Sequence, residues 1–201
     1  MGAVMKTLIA IPAMEQMHSW TAQCLMDLRQ VGECKTEFII RMQVDMARNV
    51  LAKKACEGGF DRILWIDSDM TFEPDLMERL GADIDAGWDV VSGLYFKRTF
   101  PVEPVIYKEI DTEKPEAKTY WDYPKDSLFE IAGCGFGGVL MKTEVLNDLS
   151  EPPFLPFLHL SEDLSFCVRM GEKGRKIACD STVKLGHMGT IVYGEKLYKH
   201  P

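Results

Sequence analysis

Three short apolar runs, residues 7–11 (Thr-Leu-Ile-Ala-Ile), 37–41 (Glu-Phe-Ile-Ile-Arg) and 62–66 (Arg-Ile-Leu-Trp-Ile), are separated by stretches whose apolar residues recur at helical spacing. This alternation constrains the chain more than any other feature. A nearly unbroken apolar run buries both faces of a strand, and parallel strands joined by helical crossovers produce such burial. In residues 19–29, Trp20, Cys24, Leu25 and Leu28 share one helical face. In residues 45–56, Val50, Leu51 and Ala55 do the same before Gly58-Gly59 stops the helix. Residues 89–95 (Asp-Val-Val-Ser-Gly-Leu-Tyr) read as a fourth strand. The expected fold class is therefore α/β, with a sheet parallel in its N-terminal half and helices on both faces.

The second half is less regular. Residues 98–127 are rich in proline and charge and contain Tyr120-Trp121, which predicts short antiparallel strands and a mobile loop, with Tyr107 and Trp121 as candidate ligand covers. At 201 residues, with no internal repeat or linker, the chain is expected to form a single domain. A net charge of -8 argues against broad binding to nucleic acid or an anionic membrane, although it leaves room for a local basic groove. The six cysteines lie far apart without a C-x-x-C pair, so reduced buried thiols are expected rather than a zinc site or a disulfide framework. Residues 1–13 are apolar but short and carry Lys6, which reads as a first strand rather than a signal peptide. A cytoplasmic protein with no membrane span is the expectation.

Four motifs carry possible chemistry. The strand 62–66 runs into Asp67-Ser68-Asp69, and two carboxylates one residue apart at a strand end lie on one side of the backbone, where they suit a hard divalent cation. The plainer reading is a strand break ahead of a helix beginning near Glu73-Pro74. Residues 133–138 (Gly-Cys-Gly-Phe-Gly-Gly) satisfy G-x-G-x-x-G, but a dinucleotide fingerprint opens a helix, whereas Val139-Leu140-Met141-Lys142 continues as strand with a helix only from Thr143. These glycines are expected to permit close backbone approach to a ligand, or to form a bulge. Glu162 and Asp163 follow Ser161, a good helix N-cap, and the apolar segment 152–157, which suits a pocket wall. His187, flanked by Gly186 and Met188-Gly189, offers one nitrogen, a donor that suits Mn2+ better than Ca2+ when added to carboxylate oxygens.

In this order the motifs resemble those of family two glycosyltransferases with the GT-A nucleotide-sugar-binding fold, in the small form found in bacteria and phages. The resemblance rests on the first strand ending Ile11-Pro12-Ala13, Ala47-Arg48-Asn49, the D-x-D of Asp67-Ser68-Asp69, and Ser92-Gly93-Leu94-Tyr95. It continues through residues 133–140, Glu162-Asp163 and Gly186-His187. It implies a Rossmann-like mixed sheet in a single GT-A domain, 1–201, divided into a nucleotide-binding half (1–97) and an acceptor-side half (98–201). It implies a donor that is a nucleotide-diphosphate sugar, UDP-linked by expectation, and Mn2+ or Mg2+ as cofactor. Asp69 and His187 would hold the metal, Asp67 would share it or contact the ribose or sugar, and Ser68 would lie in the donor site. Ile11, Pro12 and Ala13 would flank the base, with Arg48 near the nucleotide. Asp163 would be the general base of an inverting transfer and Glu162 would hold or orient the acceptor, which could be a glycan, protein, small molecule or modified DNA base.

Departures narrow the resemblance. Many relatives carry a uracil-reading aspartate after the second strand; here Arg41-Met42-Gln43 fill that place, with Asp45 a shifted substitute. The Q-x-x-R-W signature of processive synthases is missing, which favours transfer of single sugars. A sugar-phosphate nucleotidyltransferase would carry a basic Gly-rich loop after its first strand, unlike residues 11–16. A non-catalytic nucleotide-sugar or glycan-binding module would keep Asp69 but lose the acceptor-side acids, and Glu162-Asp163 are present.

Overall fold

The structure is a computed structural model that describes residues 4–114, 116–150, 152–157, 159–189 and 192–197. Its first half alternates strand and helix: β1 (Lys6–Ala13), α1 (Ser19–Asp27), β2 (Glu33–Ile40), α2 (Val44–Glu57) and β3 (Arg62–Ile66). The short β4 (Met70–Thr71), α3 (Leu76–Asp85) and β5 (Val90–Leu94) follow. Next come β6 (Ile106–Asp111), β7 (Glu116–Thr119), β8 (Leu128–Glu130), β9 (Gly133–Cys134) and β10 (Gly138–Lys142). The chain closes with α4 (Glu162–Glu172), β11 (Ile177–Lys184), β12 (Gly186–Met188) and β13 (Val192–Tyr193). No helix among the described residues is long and apolar enough to cross a membrane.

Seven strands form the main sheet in the order β2-β1-β3-β10-β5-β11-β8. β1 is parallel to β2 and β3, and β11 is parallel to β5, while β10 is antiparallel to both its neighbours and β8 to β11. The sheet is therefore mixed, with the expected parallel N-terminal half. Side chains alternate across it, so each apolar strand feeds two cores. Leu8, Ala10, Ile63 and Trp65 pack with Leu51, Ala52 and Ala55 of α2 and with Phe166 and Met170 of α4. Ile9, Ile11, Leu64 and Ile66 pack on the other face with Leu76, Met77, Leu80 and Ile84 of α3. Each Leu, Ile, Phe or Met side chain among them that is fully removed from water contributes roughly 1.5–3 kcal/mol. This two-sided burial is the physical cause of the unbroken apolar runs.

Three boundaries differ from expectation. β1 continues through Pro12, whose missing N–H points toward β3; pairing with β3 has already stopped at Ala10, so no ladder bond is lost. β2 begins at Glu33 because it is an edge strand with a half-exposed, polar first half, which carries no apolar signal. The helix expected from Thr143 is a six-residue 3-10 segment, Thr143–Asp148. In the second half, β6 and β7 do form an antiparallel pair, but Tyr107 is packed down at 9% exposure rather than standing over a cleft.

Two consequences of topology create the site. The C-terminal ends of β3 and β5 and the N-terminal end of the antiparallel β10 meet at one edge of the sheet, where ligands bind in open α/β sheets. A small sheet, β4-β12-β13, then sets His187 opposite Met70, the residue after Asp69.

Candidate active site

Asp69 and His187 form one corner. His187 Nε2 lies 3.4 Å from Asp69 Oδ2, and the Met188 amide donates to the Asp69 carbonyl at 2.7 Å, which fixes the two chains side by side. His187 Nδ1 lies 3.0 Å from the Phe96 carbonyl. A carbonyl can only accept, so Nδ1 carries a proton, and Nε2 is the ring nitrogen that faces the carboxylate. With the ring neutral, Nε2 and the Asp69 carboxylate could share a cation, and a carbonyl holding the distal ring N–H is the usual support for a metal-binding histidine. Among the described residues no group of three or more His, Cys, Asp and Glu side chains gathers around one point. A two-residue ligand set suits Mg2+ or Mn2+ completed by phosphate oxygens and water, rather than a closed structural site. Although burial pushes the Asp69 carboxyl up, His187 and Arg98 outweigh it and hold the group below its ordinary range.

Asp67 is turned the other way. Arg48 of α2, only 3% exposed, pairs with Asp67 Oδ1 at 3.0 Å and with Glu162 Oε1 at 3.2 Å, and donates to the Phe136 carbonyl at 3.2 Å. Its guanidinium lies 5.4–6.0 Å from the rings of Trp65, Phe136 and Phe154. The arginine expected near the nucleotide is thus buried and ties Asp67, after β3, to Glu162, at the start of α4. Burial alone would drive the proton off this arginine, but the Asp67, Glu162 and Asp163 charges overcome it and raise its pKa. Asp67 is raised by burial, with Asp69 and Asp163 adding to the effect against Arg48. Burial and the neighbouring Asp163 likewise raise Glu162. Beside Arg48, Asn49 clamps Phe154 through both backbone groups, donating at 3.0 Å and accepting at 2.9 Å. One turn of α2 therefore supports both the acids and the loop that precedes them.

Ser161 makes no side-chain capping bond to the backbone of α4. Its hydroxyl instead donates to Asp163 Oδ1, so the arrangement orients a carboxylate rather than simply closing a helix end. Asp163 is partly buried, and its charge acts on Asp67, Tyr95 and Tyr107. Leu155, Phe157, Leu160 and Val168 line a cavity of about 340 Å3 with Thr112, Ser165, Arg169 and Glu172, and neither Glu162 nor Asp163 is among its lining residues.

The glycines of 133–138 serve packing. A Cβ on Gly135 would fall 2.0 Å from the Tyr95 hydroxyl, and one on Gly138 would fall 2.3 Å from Leu185. Close approach is required, and here the buried side chains of Tyr95 and Leu185 make it. Tyr95 lies edge-on to His187 with ring centroids 5.8 Å apart, and its hydroxyl accepts from the Gly137 amide at 3.3 Å. Burial raises its pKa well above the ordinary value, with the Asp67 and Asp163 charges adding to the effect. Ile11, Pro12 and Ala13 are buried in β1, and Met14, 63% exposed, is the first residue past the strand end. The Ser68 carbonyl accepts from the His18 amide at 2.9 Å, which secures the turn. Arg98 escaped the sequence reading. Its signal is the basic pair Lys97-Arg98 just beyond the end of a buried strand, where α/β sites gather.

A mixed sheet with an inserted antiparallel strand, carrying its carboxylates where the parallel strands end, is a Rossmann-like, GT-A-like fold. Solved structures similar to this chain include A197 from STIV and GalNAc-T7. A197 from STIV superposes with a TM-score of 0.71 and 22% identity, covering 92% of this chain and 86% of that one. GalNAc-T7, solved with UDP, GalNAc and Mn2+, superposes with a TM-score of 0.64 and 12% identity, covering 98% of this chain but 45% of that one. At such identities the likeness is one of fold. No protein-family profile and no curated protein sequence matches the chain.

Proposed function

We propose that this chain is a family two-like, metal-dependent glycosyltransferase that moves one sugar from a nucleotide-diphosphate sugar to an acceptor hydroxyl. The observation that carries the reading is the Asp69–His187 corner: 3.4 Å between carboxylate and imidazole, with the imidazole's other nitrogen held by a carbonyl. Asp69 and His187 would hold Mn2+ or Mg2+, which when bound stabilises the charge that develops on the departing diphosphate. Asp67, with Oδ1 committed to Arg48, keeps Oδ2 for the metal or for the ribose. The cleft end of β1 (Ile11, Pro12, Ala13) and the turn at Ser68 would bound the donor's base and ribose, with Arg48 positioning Asp67 from below. The UDP and Mn2+ held by GalNAc-T7 support a UDP-linked donor.

Asp163 would take the proton from the acceptor hydroxyl as that oxygen attacks the anomeric carbon, consistent with inversion. Ser161 orients it, and a positioned base of this kind typically contributes about 10²–10⁴ in rate. Glu162, anchored to Arg48, would orient the acceptor. Residues 1–97 would then form the donor half and 98–201 the acceptor half. The test is a thermal-shift screen of nucleotide sugars with and without Mn2+, since a ligand that binds only the native state raises its melting temperature. A Mn2+-dependent shift with a UDP-sugar that disappears in Asp69→Ala supports the reading; shifts indifferent to both metal and Asp69 overturn it.

A further inference from the structure

Asp69 has a second cationic neighbour. Arg98 Nη1 lies 2.8 Å from Asp69 Oδ2, the same oxygen that His187 Nε2 approaches at 3.4 Å. The same Nη1 donates to the Met188 carbonyl at 3.2 Å, so the guanidinium lies across the end of β12. Two residues earlier, the Phe96 carbonyl holds His187 Nδ1 at 3.0 Å. One short stretch of chain thus sets the histidine's tautomer and places a positive charge on the carboxylate.

The backbone here is anchored, and the side chain, though paired, is half exposed. Lys97 donates its amide to the Glu103 carbonyl at 2.8 Å, and its ammonium pairs with the Glu103 carboxylate at 2.7 Å. The Arg98 side chain is 48% exposed, against 3% for the structural Arg48. It can leave Asp69 for water at small cost, because a half-exposed ion pair is worth little. A divalent ion and a guanidinium on the same carboxylate oxygen repel each other, so occupancy by the ion displaces the arginine. The displaced group stays tethered at the corner where a diphosphate would add negative charge, and a guanidinium fork matches phosphate oxygens bidentately.

We propose that Arg98 is a resident cation that occupies Asp69 in the metal-free protein, yields it to the divalent ion, and then grips the diphosphate of the donor. This inference rests on the reading of Asp69 and His187 as the metal corner. It makes metal and nucleoside diphosphate mutually dependent: the ion alone must evict Arg98, whereas the ion with diphosphate gives Arg98 a new partner.

The experiment is calorimetric titration of Mn2+ alone, and of UDP in saturating Mn2+, into the wild-type chain and into Arg98→Ala, Arg98→Gln and Asp69→Ala, with melting curves to verify folding. Both Arg98 variants are expected to bind Mn2+ alone about threefold more tightly, the worth of an exposed ion pair. They are expected to bind UDP with Mn2+ at least about tenfold more weakly, the worth of a charge-assisted bond. Opposite signs for the two ligands distinguish this role from loop support, which would weaken both. Unchanged or weakened Mn2+ binding, or unchanged UDP binding, in the Arg98 variants overturns the inference alone, provided the wild-type chain binds UDP in an Asp69- and Mn2+-dependent way. Should the wild-type chain show no Asp69-dependent Mn2+ binding, both this inference and the proposed function fall.

Discussion

Replacing Arg48 by methionine removes a buried charge that pairs with Asp67 and Glu162 together. The magnitude follows from burial. Breaking one side of a buried ion pair costs about 3–5 kcal/mol, because the partner is left uncompensated. Glu162 is only 13% exposed and cannot rehydrate, whereas Asp67 is 29% exposed and regains part of its water. Methionine also fills much of the space among Trp65, Phe136 and Phe154 and makes favourable sulfur–aromatic contacts. Both considerations place Arg48→Met at the low end, about 3 kcal/mol. For a chain of this length, that lowers the melting temperature by about 6–12 °C. Urea unfolding of Arg48→Met, Glu162→Gln and the double variant measures it. The double variant should be more stable than the sum of the single losses implies, because the second change removes the stranded carboxylate. A loss below about 1 kcal/mol, the range of a surface pair, or strict additivity, would refute the role assigned to this arginine.

Asp69→Ala is expected to abolish Mn2+-dependent UDP binding with melting temperature unchanged, and His187→Ala to weaken it less, since water can replace one ligand of several; calorimetry reads both, and equal loss in the two would contradict the ranking. Asp163→Asn is expected to keep donor and metal affinity while transfer falls by about two orders of magnitude, measured as nucleotide release with acceptor present; a loss of donor affinity instead would move the base elsewhere. Asp83 supplies a pH dependence: burial, with the neighbouring Asp180 adding to it, raises its carboxyl from 3.8 to about 6, and its Oδ2 is buried without a hydrogen-bond partner. The folded state then binds more protons than the unfolded chain between these values, so this group's contribution to stability falls as pH rises from 3.8 to about 6. Asp83→Asn should therefore flatten that part of the stability curve and raise the melting temperature at pH values above it; a fall parallel to wild type would refute the assignment.

The parallel half of the sheet was legible in the sequence because burial on two faces writes itself locally. Leu8, Ala10, Ile63 and Trp65 serve one core and Ile9, Ile11, Leu64 and Ile66 the other, and the runs are unbroken for that reason. The acids of the site were legible too, since Asp67 and Asp69 end a strand and Glu162 and Asp163 open a helix. Their partnerships were not. That Asp69 meets His187 depends on β4 pairing with β12 across more than a hundred residues, and no local spacing encodes that register. Arg48 shares a helical face with Leu51 and Ala55, so its inward position was legible, but the aromatic rings of Phe136 and Phe154 that enclose it come from the second half and were not. Arg98 lies outside every motif and gains its meaning from the bend that lays it on Asp69. Element type follows from side-chain burial, which a short window of sequence expresses; charge pairing follows from which strand ends meet, which only the folded topology decides.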